Sequence, residues 1–557
     1  MTKIAYVPDE THLIGKQITS ICTTINSGMG TKALYGKKFM NSSGKKLNFK
    51  FDSSTPEELE AYNKLQSDFT ASYEQCFSDD HAKKTIIVIP SLTLDQEVLE
   101  KVNGSIFYEE RLLCLLMLLR MPRTHVIYLS SIPIDPIIID YYLHLLPGIT
   151  GYHARERLTL LSCYDSSPVS LTEKILQRPR LMERIKKRIP AGYAAHLACF
   201  NTTPYEKILA IKLGLPVYGC DPQLNYWGTK SGSRRIFLLS GVTMPPGVED
   251  LKSYEEIVHA AAALKDMYPG LKKAVLKLND GFSGEGNAIL TYPEKLERTE
   301  LFNWIHDNLY KKIVPVAKDL SIDVFLEKFM EMEGVIEAFI EGESKFSPSV
   351  QCRINPLGKV DIISTHDQEL NNQVFVGAYF PADEAYRTEV AEIGKQVAGT
   401  LQKKGVMGRF SIDFISVKGE EGWKHYAIEI NLRKGGTTHP FLMLQFVTNG
   451  KYDEEKGVFE MPNKQLRYYF ASDNLQSESY KGLSPQDLID IAMFHGLHYD
   501  GADQKGVMFH MIGALSQYGK MGIVCIGESR EEAICYYKKT LEVLDKETRN
   551  FEFDKNI

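Results

Sequence analysis

The stretch "LNDGFSGEGN", Leu278 to Asn287, holds three glycines, two acids and a serine, and it follows the lysine-punctuated apolar run "KKAVLKL". Apolar residues resume directly afterwards in "AILTYPEKLE". A strand, a glycine-rich acidic tip and a second strand make a hairpin, and this limits the folds open to the chain. A phosphate-binding P-loop needs G-x-x-x-x-G-K-[ST] opening a helix, and a dinucleotide fingerprint also needs a helix after its glycines. Neither follows here. Glycines at a hairpin tip still let backbone N–H groups approach oxygens, because no Cβ intrudes. Taken alone, the segment reads somewhat better as a flexible hairpin turn.

The chain's 557 residues are too many for one core, so several domains are expected. A net charge of −6 and the lack of a basic stripe argue against a nucleic-acid partner. Nine cysteines are scattered without C-x-x-C spacing, which suits reduced thiols better than a disulfide framework or zinc. "MTKIAYVPDETHLIGKQ" lacks the apolar core of a signal peptide. The most apolar run, "RLLCLLMLLRMP", is too short to span a bilayer and reads as a buried helix. These features predict a cytoplasmic protein with no membrane partner. A homodimer stays open.

Four units are expected along the chain. Residues 1–83 are polar, a loop followed by a helix, with no assignable chemistry. Residues 84–225 alternate buried strands ("KKTIIVIPSLTLD", "HVIYLSS") with helices ("DPIIIDYYLHLLP"), which predicts a parallel α/β layer. Residues 226–463 contain the glycine hairpin, the strands "GVIEAFIEGE" and "PSVQCRINPLGKVDIISTHDQEL", a helix over 384–403, and the strands "GRFSIDFISV" and "HYAIEINLRKGGTTHPF". Residues 464–557 form a small α+β unit with the helix "SPQDLIDIAMFHG", the strand pair "GVMFHMIGAL" and "MGIVCIGES", and a closing helix.

The chemistry concentrates in "RFSIDFISVKGEEGWKHYAIEINLRKGGTTHP". Asp413 lies on one strand; Glu429 and Asn431 share a face of the next by period-2 alternation. Two paired strands thus bring together two carboxylates and an amide oxygen, an all-oxygen set suited to Mg²⁺ with nucleotide phosphates. The alternative is a solvated strand face. Lys230 in "WGTKSGSRRIF" and Lys277 before the glycine loop supply cations for phosphates. In "VIEAFIEGE" the backbone offers hydrogen bonds to an adenine edge, and Phe339 and Ile340 offer an apolar wall.

In this order, the elements Lys230, "KLNDGFSGEGN", "EAFIEGE", Asp413 and "EINLR" resemble the ATP-grasp superfamily. The segments "PSLTLD", "YEERLL", "GTKSGSRRIF", "EINLRKGGTTHPF" and "GVMFHMIGALSQYGK" are similar to the pheganomycin-type peptide ligases, over about residues 85 to 545. The resemblance implies a multidomain α/β and α+β architecture, with a pre-ATP-grasp α/β domain, a central ATP-grasp domain and a C-terminal α+β domain. It implies ATP and Mg²⁺ as cofactors, and an amino acid or other carboxylate substrate joined to an amine or peptide acceptor.

Residue by residue, it assigns Lys230 and Lys277 to phosphates, and Ser283, Gly284 and Gly286 to the covering loop. Glu337, Phe339 and Ile340 fall at adenine and Glu343 at the ribose. Asp413, Glu429 and Asn431 go to Mg²⁺. Many relatives carry an arginine two residues before the metal aspartate, where this chain has Ser411. Arg433, Arg409 or Arg353 must then stabilise the oxyanion, and Arg433 is preferred because it follows Glu429 and Asn431 on the same face. The turn bearing Thr437, Thr438 and His439 is expected to hold a substrate carboxylate or acyl phosphate. His366 and His439 are candidates for supporting roles or for plain core histidines. Rival functions on the same fold are an ATP-binding module without ligase activity and a small-molecule kinase.

Overall fold

The computed structural model describes residues 55–77, 79–93, 104–280, 286–294, 298–317, 320–371 and 374–549. β1 (Lys84–Ile89), β2 (Thr124–Ser130), β3 (Leu158–Ser162) and β4 (Ala194–Cys199) form the expected parallel layer, in the order β3-β2-β1-β4. Every residue of β1 is buried, as its unbroken apolar run requires of a strand covered on both faces. The run around Leu112–Leu119 is helical, but it is a 3-10 helix, Ser105–Arg120. From Leu112 to Leu119 it is apolar on every side because that stretch lies inside the core. The helix expected near the start, Pro56–Phe77, is not a free arm. Its Gln66 side chain bonds both backbone groups of Val217, and Tyr62 joins the core beneath the sheet.

The glycine hairpin belongs to a second sheet made of β5 (Gly247–Leu251), β6 (Lys273–Leu278), β7 (Asn287–Thr291), β8 (Ile313–Pro315) and β9 (Gly334–Ala338), ordered β5-β9-β6-β7-β8. β6 and β7 pair antiparallel from Lys273↔Thr291 to Lys277↔Asn287, and the Leu278 N–H donates to the Gly286 carbonyl at 2.9 Å. The hairpin is therefore as expected. Ser283 and Gly284 lie outside the described residues.

The third sheet has nine strands: β10 (Lys345–Phe346), β11 (Pro348–Ile354), β12 (Val360–Asn371), β13 (Val374–Phe380), β14 (Gly408–Gly419), β15 (Gly422–Asn431), β18 (Tyr468–Gln476), β19 (Gly506–His510) and β20 (Lys520–Gly527). Between β15 and β18, β16 (Lys451–Asp453) and β17 (Val458–Glu460) make a separate small hairpin. One face of β14 (Phe410, Ile412, Phe414) packs on Val390, Val397 and Leu401 of the helix Arg387–Lys403. That leaves the opposite face for chemistry.

The C-terminal strand pair does not make a sheet of its own. It continues the nine-stranded sheet through β18, which pairs with β13 on one side and β20 on the other. Apolar residues of the 3-10 helix, of the helix Thr438–Thr448 and of β19 and β20 share one core. The three outer segments are thereby fastened around the end of β15.

Candidate nucleotide and substrate site

β14 alternates strictly between buried and partly buried residues, so Arg409, Ser411 and Asp413 point away from the core. Across from them on β11 stand Arg353, Gln351 and Ser349, and on β15 Asn431 opposes Ser411 while Glu429 opposes Asp413. A register shift after Asp413 sets Ile428 out of the ladder. This bulge brings Glu429 level with Asp413. The expected two-strand convergence is thus present.

Asp413 is densely held. Its carboxylate accepts from Ser349 Oγ at 2.7 Å, Gln368 Nε2 at 2.9 Å and Asn431 Nδ2 at 3.0 Å. Burial, with the Glu429 charge second, pushes the Asp413 carboxyl up to about 6. Asn431 bonds Asp413 through its amide nitrogen, so its oxygen stays free to face a metal. Among the described residues no three His, Cys, Asp or Glu side chains converge, and the set here is two acids plus an amide.

Lys230 opens the helix Lys230–Ser240, whose N-cap Thr229 accepts from the Gly232 N–H at 3.0 Å. Asn279, just after β6, accepts from the Ser231 N–H at 2.9 Å and ties that helix start to the glycine hairpin. Lys230 forms an ion pair with Glu429. Lys277 instead pairs with Glu337 at 2.5 Å, and Glu337 also takes Arg234 at 2.8 Å. Burial alone would raise the Glu337 carboxyl, but Lys277 and Arg234 outweigh it and hold it low.

Glu337 lies on β9, between β5 and β6, and its side chain is the anion that fixes Lys277. The Phe339 N–H donates to the Lys273 carbonyl at 3.1 Å, and the ring lies 4.5 Å from the Lys345 ammonium. Ile340 is half-buried and Glu343 exposed at the end of the same linker.

The three arginines part company. Arg353 is engaged by Asp361 at 2.7 Å. Arg409 has a buried Nη1 without a partner, and burial, reinforced by Arg353, lowers it to about 10. Arg433 donates to the Lys434 carbonyl at 3.2 Å, and the charges of Glu429 and Asp413 act on it.

The Thr437–His439 turn is buried at the start of the helix Thr438–Thr448. Thr438 Oγ1 accepts from the Gly435 N–H at 3.0 Å and donates to Gln351 at 3.4 Å, linking the turn to the metal face. Burial pushes His439 down to about 4; its Nδ1 donates to the Arg111 carbonyl at 2.9 Å and its ring stacks on His510 at 4.2 Å. His366 bonds the Tyr469 hydroxyl at 2.6 Å within the core, and burial lowers it to about 3. Both histidines are buried, and His439 also lines the cleft beside the turn. Beside the turn is a cleft lined by Arg111, Phe200, Lys434, Gly435, Gly436 and Asp473, residues from four distant segments.

Sequence reasoning missed Ser349, Gln368, Asn279, Arg234, Arg111 and Asp473. Each lies in a segment whose element type was legible, but its cross-strand or interdomain partner was not.

The family model described as IQCH-like, ATP-grasp matches residues 222–312 and 298–455, which span the Lys230 helix, the glycine hairpin and the Asp413–Glu429 strand pair. This central segment is similar to the ATP-grasp domains. A model of the PGM1 C-terminal domain matches residues 487–540. The L-propargylglycine–L-glutamate ligase of Streptantibioticus cattleyicolor is 28% identical over 471 residues, 83% of this chain and 94% of that protein. The IQ motif-containing protein H of Danio rerio is 22% identical over 518 residues; the match covers 84% of this chain but only 49% of that protein. Among solved structures, a biotin carboxylase–ATP complex from Campylobacter jejuni aligns with 82% of the chain at a TM-score of 0.49 and 14% identity.

ATP and Mg²⁺ are the cofactors of the ATP-grasp superfamily, and the residues present fit them. Asp413 and Glu429 face each other, and burial together with the Glu429 charge disfavours the ionised Asp413 carboxyl, a conflict that a divalent cation relieves. Asp413, Glu429 and Asn431 would hold Mg²⁺, and Lys230 and Lys277 the phosphates. All cysteines among the described residues are free, and there no helix is long and apolar enough to cross a membrane.

Proposed function

We propose that this ATP-grasp protein is an ADP-forming carboxylate–amine ligase that joins an amino acid to a second amino acid or a peptide through an acyl phosphate. One observation carries the reading: Asp413, Glu429 and Asn431 converge on one face of two paired strands, and Lys230 meets that face through Glu429. The similarity to an amino-acid ligase over 83% of this chain supports it.

In this site Mg²⁺ would neutralise phosphate charge during attack by the substrate carboxylate. Lys230 and Lys277 orient the phosphates, held in turn by Glu429 and Glu337. Arg433, the cation next to both metal acids, stabilises the oxyanion as the amine attacks. Such chemistry is mainly positioning and charge compensation, which agrees with two candidate histidines that are neutral core residues.

The test is product analysis with purified protein, ATP, Mg²⁺ and a panel of amino acids and short peptides. ADP and orthophosphate should form only with a carboxylate present, and hydroxylamine should trap a hydroxamate when the amine is withheld. AMP with pyrophosphate as stoichiometric products would overturn this chemistry. Hydroxamate without any amide across the panel would favour the kinase.

A further inference from the structure

One of the donors that hold Asp413 stands two strands away. Ser349 Oγ comes from β11, the neighbouring strand, but Gln368 Nε2 reaches Asp413 Oδ1 at 2.9 Å from β12, across β11. Gln368 lies one residue beyond the last pair of the β11–β12 ladder, Pro348↔Asp367, and its N–H donates to the Ser347 carbonyl at 3.0 Å. An amide that reaches across a whole strand keeps its aim only where its own backbone is fixed.

The preceding residue, Asp367, supplies that hold. Successive strand residues face opposite ways, so Asp367 is turned to the other side of the sheet, where it is 8% exposed. Its carboxylate accepts from three separate elements. The Tyr386 hydroxyl donates at 2.8 Å from the start of the helix Arg387–Lys403, and the Asp383 N–H donates at 2.9 Å from the turn after β13. Arg530 Nη2 donates at 2.8 Å, and Arg530 is the first residue of the closing helix Arg530–Arg549. Arg530 Nη1 also stands 3.6 Å from Asp383 Oδ2, and the guanidinium lies 5.0 Å from the centre of the Tyr379 ring on β13. Charge-assisted bonds to a carboxylate this enclosed are directional and costly to break. Adjacent residues of β12 thus carry, on opposite faces, an anchor to the closing helix and a donor to the metal carboxylate.

We propose that Arg530 is a positioning residue for the metal site: it fixes Asp367, the backbone at Asp367 fixes Gln368, and Gln368 aims the Asp413 carboxylate. The proposal rests on the reading of Asp413 as a Mg²⁺ ligand, and it joins the C-terminal helix to the geometry of that ligand. A simple fastening role for Arg530 predicts lost stability and nothing at the metal. A positioning role has a further signature: losing Arg530 weakens metal binding only while Gln368 is present to transmit the change.

Calorimetric titration of the full chain with ADP, with and without saturating Mg²⁺, tests this without turnover, because the ratio of the two affinities is the metal's contribution. Gln368→Ala should cut that ratio about tenfold or more, and Arg530→Met, acting one step further out, about three- to tenfold. Arg530→Lys keeps a cation on Asp367 and should lose less. The double variant Arg530→Met with Gln368→Ala should fall no further than Gln368→Ala alone. Ligand-free melting curves report whether each variant folds. If Arg530→Met does not, Tyr386→Phe, which removes a single donor from Asp367, takes its place in the same cycle with the same outcomes. An unchanged ratio in the folded variant, or losses that add in the double variant, would overturn the proposal and leave the metal assignment intact. An unchanged ratio in Gln368→Ala would remove the metal reading of Asp413, and the proposal with it.

Discussion

Asp413 on β14 and Glu429 on β15 are cross-strand partners on the face turned away from the core, with Ser349 opposite Asp413 on its other side. Three strands thus aim one hydroxyl and two carboxylates at a single point, and a bulge after Asp413 keeps the acids level. Asp413→Asn or Glu429→Gln should lower turnover about a hundredfold or more while the melting temperature stays close to that of the wild type. The hydrogen-bond donors behind Asp413 separate this from a general effect. Ser349→Ala and Gln368→Ala should weaken Mg²⁺ affinity about ten- to a hundredfold, with catalysis recovering at high Mg²⁺. Undiminished activity in both acid variants would remove the metal assignment.

The same carboxyl sets a pH dependence. Asp413 is pushed up to about 6, by burial first and Glu429 second, from 3.8. A carboxyl with a raised folded-state pKa favours the fold in its protonated form. That contribution is complete below the unfolded value and is lost as pH rises through about 6. Metal-free protein should therefore lose stability from this group over that window. Mg²⁺ with nucleotide acts in the opposite sense, because it must displace the proton. The rise in melting temperature on adding Mg²⁺ and ADP should be full at about pH 8 and shrink as pH falls below about 6. A rise that is the same across this range would show that Asp413 does not titrate against metal.

Much of this was legible in the sequence. Period-2 alternation in "GRFSIDFISV" placed Asp413 opposite a buried face, and the apolar run of β1 announced a parallel layer. The glycine hairpin followed from apolar residues on both sides of "DGFSGEGN". What stayed hidden depended on partners far away in the chain. Glu337 reads as one acid in an edge-like strand, and only the pairing of β9 between β5 and β6 aims it at Lys277 and Arg234. The strands of the last unit read as a domain of their own, because nothing local tells an edge strand that it will pair with β13. The cleft needs Arg111 and Asp473 from opposite ends of the sequence, and no local pattern links them.

Glu337 supplies a sharper test of the lysine network. It is 2% exposed and neutralises Lys277 and Arg234 together. Glu337→Gln strands the buried Lys277 and takes one of two carboxylates from Arg234, so unfolding free energy should fall by about 3 kcal/mol or more in denaturant titrations. The KM for ATP should rise, because Lys277 loses the contact that orients it. Adding Lys277→Met should recover part of the stability, since one stranded cation is gone and Arg234 keeps Glu249 at 3.1 Å. It should not recover ATP affinity. If the double variant is no more stable than Glu337→Gln, Lys277 and Glu337 are not energetically coupled.

The start of the Lys230 helix depends on Gly232. A Cβ there would stand 1.8 Å from the Tyr226 carbonyl oxygen and 2.9 Å from the Trp227 Cα, both backbone atoms that cannot swing aside. Gly232→Ala must therefore displace the first helical turn, which the Thr229 cap and the Ser231–Asn279 bond hold against the hairpin. Lys230 is the first residue of that turn, and Ser233 Oγ accepts from the Ile430 N–H at 3.0 Å, between the two metal residues of β15. One added methyl group thus disturbs a phosphate cation and the metal strand together. Gly232→Ala should lose about 1 to 3 kcal/mol of stability through overpacking, and both KM for ATP and kcat should worsen. Lys230→Met, which leaves the turn in place, should raise the KM for ATP with a smaller loss of stability. If Gly232→Ala keeps wild-type kinetics and melting temperature, the close approach of the Tyr226–Trp227 backbone does not position Lys230.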